Sequence, residues 1–142
     1  MISVYQMISQ TPGLIAQMAG SITKDRYTCA TVFVDQKSNL SYVCYQISTS
    51  AKHTLEAKEA FDHYSKLRGV TVRHYQVENV TFTANNWVYN CYSKVQGLTF
   101  ANVNAHHQNG KAEIRIHHLW DMARTSMIHV NKRWPDAISP NL

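Results

Sequence analysis

Two glutamates stand where a metal-dependent site could form. Glu78, in YQVENVTF, lies just past a segment of strand character, and Glu113 lies in the first turn of a long helical pattern. Their spacing is 35 (113 − 78). Hard divalent cations want oxygen ligands, so a magnesium or manganese site needs carboxylates that converge from separate elements. Two such ions about 4 Å apart activate an attacking oxygen and stabilise a leaving one on a phosphodiester. The plainer reading is that both glutamates are solvated surface groups, with Glu113 merely favouring a helix N-terminus. Asp35 ends a neighbouring strand pattern and is a third, more distant candidate.

The loop before Glu113, AHHQNGKAE, and the helix after it, IRIHH, invite other chemistry. His106-His107 and His117-His118 suggest zinc, but the H-E-x-x-H spacing of zinc hydrolases is absent and no cysteine lies near. Lys111 and Arg115 are four apart, hence on one helical face beside Glu113. They suit phosphate contacts, as do Arg124, Lys132 and Arg133, and each equally suits a solvated helix face. Trp87, Tyr89, Trp120 and Trp134 read as packing residues rather than base-stacking platforms.

The elements that must position these residues are legible in outline. Tyr27 to Val34 is β-branched and aromatic, Asp35 to Asn39 is a turn, and Leu40 to Ile47 is the partner strand of a hairpin. The spacing predicts a helix over Thr54–Arg68, with a stripe of Leu55, Ala60, Phe61, Tyr64 and Leu67 and Gly69 as its stop. Val70 to Tyr75 reads as a strand, Asn85 to Val95 as a short helix ended by Gly97, and Leu98 to Val103 as a short strand. A long helix over Lys111–Val130 places Ile116, Leu119, Ala123, Met127 and Val130 on one face. TPG at 11–13 is a turn signal. With an opening strand, the order is three strands, then helix, strand, helix, strand, helix. That order means an α/β fold: a mixed sheet, antiparallel at first, with helices packed on it.

A chain of 142 residues is one domain's worth, and 44% hydrophobic against 16% charged residues fits a folded domain. No apolar run is long enough to cross a membrane, and the first residues carry no secretory signal. A net charge of +5 suits a polyanion partner but is modest and unclustered. Cys29, Cys44 and Cys91 are odd in number and far apart, which reads as buried reduced thiols in an intracellular protein. The tail RWPDAISPNL supplies no closing element, so a longer parent chain is expected.

The stretch NAHHQNGKAEIRIHHLWDMARTSMIHVNKRWP closely resembles the end of the integrase core of copia-type long-terminal-repeat retrotransposons. In that family a polar-Asn-Gly-x-x-Glu segment presents the last acid of an Asp, Asp-35-Glu triad. VTVRHY followed by VENVTF resembles the strand that carries Asp-Asn-Gly, TVFVDQKSNLSYVCY resembles the second and third strands, and VYQMISQTPGL the first. The resemblance spans essentially the whole chain, and its C-terminal block is the specific part. It implies a ribonuclease-H-like mixed five-stranded sheet over 1–142. It also implies magnesium or manganese held by Glu113 and Glu78, DNA as partner, and a dimer or higher oligomer. DNA 3′-end cutting and strand transfer would be the reaction. Asn109 and His107 join Lys111 and Arg115 as candidate DNA contacts, with Asn109 and Gly110 giving the loop its mobility. A cytoplasmic particle or the nucleus is the implied setting, with no membrane and no small-molecule substrate.

The sequence departs from that pattern. Tyr5 stands at the place of the first Asp, and a phenol with an ordinary pKa of about 10 is a poor magnesium ligand at neutral pH. Glu78 replaces the second Asp with a side chain one methylene longer, and Val80 replaces the usual glycine. Only Glu113 matches the triad outright, and Asp35 would have to supply the missing carboxylate. The expectation is therefore an integrase core with impaired chemistry. The alternative is a non-catalytic nucleic-acid-binding or self-association domain on the same fold.

Overall fold

The structure is a computed structural model. It describes residues 1–15, 23–78, 82, 84–101 and 110–135. Five strands and three helices follow in the order β1 (Ile2–Leu14), β2 (Arg26–Asp35), β3 (Ser41–Gln46), α1 (Ala51–Leu67), β4 (His74–Glu78), α2 (Asn85–Ser93), β5 (Gly97–Ala101) and α3 (Gly110–Arg133). The sheet order is β3-β2-β1-β4-β5, so the first strand is the central one. β1, β2 and β3 pair antiparallel, β2 and β3 through a five-residue turn, whereas β4 and β5 join parallel to β1 by helical crossovers. The mixed sheet expected from the sequence is the one observed.

Alternation along the strands sorts side chains to two faces. Ile2, Val4, Phe33, Tyr75 and Val77 pack with Phe61 of α1 and Trp87 and Cys91 of α2. Phe33 stacks on Phe61 at 4.6 Å between ring centroids, and Tyr75 meets Trp87 edge-on at 5.9 Å. On the other face Val32 and Val34 pack under Ile116 of α3, with Tyr5, Met7, Val43 and Leu119 around them.

Several boundaries differ from the sequence reading. The strand expected over Val70–Tyr75 is displaced to His74–Glu78. α1 ends in a turn in which Gly69 takes φ +71°, and pairing with β1 starts only at Tyr75 opposite Ile2. TPG at 11–13 does not end the first strand; β1 runs through it, with its register to β2 slipping between Ile8 and Gly13. Val103, in the expected last strand, lies outside the described residues. The expected apolar stripe of α1 is also corrected. Its buried residues are Thr54, Ala57, Lys58, Phe61 and Ser65, while Leu67 is exposed. Thr54 and Lys58 enter because they find partners: Thr54 Oγ1 donates to Ser50 O, and Lys58 to three acceptors. Of the α3 stripe, Ile116 is buried and Ala123 and Met127 are exposed, because only the first turns of α3 lie on the sheet.

Candidate functional site

The candidate centre is framed by β1, its parallel neighbour β4 and the start of α3, which packs on β1 and β2. β1 and β4 run parallel with Val4 opposite Val77, and the same register carried one residue further sets Tyr5 beside Glu78. Glu78 is the last residue of β4, paired on its other side with Ala101 of β5. Tyr5 is half-buried and packs into the apolar cluster beneath α3. Glu113 is half-buried in the first turn of α3, three positions before Ile116, which belongs to that same cluster. Residues three apart share a helix side, so Glu113 and Tyr5 belong to one face of the molecule. An acid in the first turn also complements the helix dipole.

Asp35 is not brought to this place. It pairs with Ile2, whereas Tyr5 pairs with Val32, so three residues, or about 10 Å along the strand, separate the two rows. Its carboxylate accepts from the Ser38 amide at 2.9 Å and the Ser38 hydroxyl at 2.7 Å, closing the β2–β3 turn. Partial burial raises the Asp35 pKa, but these Ser38 bonds and the Lys37 amide outweigh it, and the carboxyl is held below its ordinary value. Its neighbour Gln36 reaches the sheet instead, donating to Ser3 Oγ and Gln76 Oε1 at 2.8 Å each.

The expected DNA contacts divide. Arg115 Nε donates to Ser41 Oγ at 2.6 Å, which ties α3 to the edge strand β3. Lys111 lies in the first turn of α3. Asn109 and His107 lie outside the described residues, as do His106 and Val80. Trp87 is a packing residue, as expected, but Tyr89 and Trp120 are exposed because α2 and the outer half of α3 show those faces to solvent, and Trp134, just past the end of α3, is exposed too. Cys29, Cys44 and Cys91 are free, with Cys29 and Cys91 buried and Cys44 half-buried.

A second polar centre escaped the sequence reading. On the α1–α2 face the Lys58 ammonium is fully buried and donates to Asp62 Oδ2, Asn90 Oδ1 and Gln96 Oε1 at 2.9, 2.7 and 2.6 Å. It lies over the rings of Tyr75 and Trp87. Asp62 also accepts from the Tyr75 hydroxyl, Gln96 Nε2 and Lys94 Nζ. Burial pushes the Asp62 carboxyl up, yet the bonds from Tyr75, Lys58 and Lys94 outweigh it and hold it below its ordinary value. Burial first, then the adjacent Asp62 charge, drive the Tyr75 phenol far above its ordinary value. The only sequence signal was the i, i+4 pair Lys58–Asp62, which is the same pattern a solvated helix face shows.

No family model matches the sequence, and no curated protein matches it. Solved structures do. A chain of the simian T-cell lymphotropic virus intasome, solved with the PP2A regulatory subunit B56 gamma, aligns over 99% of this chain with TM-score 0.63 and 12% identity. The HTLV-2 integrase catalytic core, solved with magnesium in a dimeric form, aligns over 95% of this chain and 74% of its own, with TM-score 0.56 and 15% identity. The BIV core aligns over 82% and 63%, with TM-score 0.57 and 15% identity. The fold is that of a retroviral integrase catalytic core. The ribonuclease-H-like expectation is thereby met. This chain spans 44% of the intasome chain it matches. Magnesium accompanies the HTLV-2 core, but the described residues here do not make up a two-ion centre. The central strand offers the Tyr5 phenol, and among the described residues no group of three His, Cys, Asp or Glu could hold a metal ion.

Proposed function

We propose that this chain is a degenerate integrase core of a copia-type retrotransposon. It engages DNA, associates with itself, and has strongly reduced cutting and strand-transfer activity. The carrying observation is Tyr5. The place beside Glu78 on the central strand holds a phenol packed among apolar side chains. Divalent-metal catalysis on an integrase-type core needs carboxylates that converge there. Glu78 in place of Asp adds about 1 Å of reach, and misplacement on that scale costs on the order of 100-fold. The fold and the block NAHHQNGKAE support the ancestry, and the net charge of +5 supports a DNA partner. The second reading, a binding module with no chemistry, is favoured by the same apolar packing of Tyr5.

A manganese-dependent disintegration assay, the reversal of strand joining, tests this. The chain is run beside Tyr5→Asp/Glu78→Asp, and each is also run with Glu113→Gln. The expected result is branched-DNA resolution by the double variant alone, abolished by Glu113→Gln. Resolution by the unaltered chain, again abolished by Glu113→Gln, overturns the claim of reduced activity. If neither resolves the DNA while both bind it without metal, the binding module is the function.

A further inference from the structure

The two helices of the α1–α2 face end in the same hydrogen-bond pattern. At α1, Gly69 N donates to Lys66 O and Val70 N to Ser65 O. At α2, Val95 N donates to Tyr92 O and Gln96 N to Cys91 O. This closure needs a left-handed residue, and glycine is the usual occupant. Gly69 fills it at α1 with φ +71°, but Val95 fills it at α2 with φ +55°. A β-branched residue in that region is a genuine outlier. Val95 is 91% exposed, so the fold gains no packing from its side chain. Strain held at a residue with no internal work points to a function for that residue.

Its surroundings say what kind. Tyr92 is 73% exposed, Leu67 71% and Val70 56%. The segments that carry them are laced together, since Gln96 Nε2 donates to Val72 O and Gly97 N to Arg73 O. Single exposed apolar side chains are ordinary, but four on interlocked turns form a surface. Cations flank it: Lys66 and Arg73 are exposed, as is Arg68, whose guanidinium lies over the Tyr64 ring at 3.6 Å, and none of the three makes an ion pair among the described residues. The nearby acid, Asp62, is already committed to Lys58 and Lys94. The surface is thus apolar at its centre and positive at its rim. Three of the four, Leu67, Val70 and Val95, are aliphatic and offer bases no stacking platform, with Tyr92 the one aromatic among them, whereas apolar anchors with flanking acids complement both features.

We infer that this end of the domain, built from the C-terminal turns of α1 and α2, docks a protein segment carrying apolar anchors flanked by acidic residues. The test is selection of a displayed random dodecapeptide library on the chain, with counter-selection on Val95→Gly/Arg73→Glu. The best peptide is then titrated by fluorescence anisotropy. The expected consensus pairs Asp or Glu with large apolar residues. Tyr92→Ala should weaken binding by about tenfold, and Val95→Gly by roughly fivefold, as for anchors of an interface. Val95→Gly removes only backbone strain from the fold, so an undiminished melting temperature shows that its loss of binding is not unfolding. Failure to enrich peptides, a consensus without acids, or equal affinity for Val95→Gly overturns the inference. So does a short DNA duplex that displaces the peptide and itself loses affinity on Arg73→Glu, which would make this a nucleic-acid surface.

Discussion

Replacing Lys58 by methionine should cost about 3–5 kcal/mol of folding stability, the range for breaking a buried ion pair. The figure can be worked from the partners. The Lys58 ammonium is wholly buried and all three of its hydrogens are used, on Asp62, Asn90 and Gln96. Methionine fills the same volume but leaves Asn90 Oδ1 and Gln96 Oε1 without their short bonds, at about 1–3 kcal/mol each. Contact with the Tyr75 and Trp87 rings loses its cationic part, roughly 1 kcal/mol. Asp62 limits the damage because Tyr75, Gln96 and Lys94 still donate to it. Extra apolar burial returns on the order of 1 kcal/mol. Domains of this size have roughly 5–15 kcal/mol in hand, so the variant folds but with much of its margin gone. Urea denaturation followed by tryptophan fluorescence reads this, with Lys52→Met as control. Lys52 meets Glu56 at 3.9 Å on the open surface and should change stability by less than about 0.5 kcal/mol. If Lys58→Met costs under about 1 kcal/mol, the network adds nothing to stability and its partners have relaxed onto one another.

Two further outcomes follow from the same face of the sheet. Val95→Gly should stabilise the fold by about 0.5–1 kcal/mol, because relief of left-handed strain exceeds the added freedom of the unfolded chain; a lower melting temperature refutes it. The Asp62 carboxyl is held below its ordinary pKa, so its contribution is complete above the ordinary carboxylate range and is lost as pH falls through the folded-state value. Asp62→Asn should therefore flatten the acid limb of the stability–pH profile, and an unchanged acid limb would show that other carboxylates dominate it.

The order of elements was readable because β-branched runs, turn residues and helical spacing agree locally. β2 and β3 flank a five-residue turn and are found within a residue or so of where the pattern put them. β4 was misplaced because VTVRHY has strand composition, while pairing is decided by the central strand. The α1 stripe misled for a related reason. Hydropathy assigns Leu67 to the interior and Lys58 to water, yet Lys58 has three acceptors waiting on α1, α2 and the turn beyond. Those partners lie up to 38 positions away, so no local window contains them. At the candidate centre, Glu113 and Glu78 were picked from spacing and resemblance. Asp35 was picked from nearness to a strand end, and only the register shows that it lies at a different row from Tyr5. The apolar seat of Tyr5 depends on α3, which follows it by more than 100 residues.

That seat has an energetic consequence. An acid at position 5 would face the apolar cluster of Val32, Val34 and Ile116, one helix turn from Glu113. Without a cation, such a carboxylate is both desolvated and close to like charge, which disfavours its ionised form. Tyr5→Asp should then destabilise the metal-free chain by about 1–3 kcal/mol, the usual cost of a poorly paired buried polar group. A ligand that binds only the folded state returns stability by mass action, about 2.7 kcal/mol at 100 times its dissociation constant. Millimolar manganese should therefore raise the melting temperature of Tyr5→Asp/Glu78→Asp and leave the unaltered chain unmoved. Glu113→Gln in the double variant should remove the manganese response. If manganese stabilises the unaltered chain to the same extent, Tyr5 has not closed the site, and the reduced activity proposed here has lost its physical basis. If Tyr5→Asp is instead neutral without metal, the cluster beneath α3 is wetter than its packing indicates, and the tyrosine was not retained for stability.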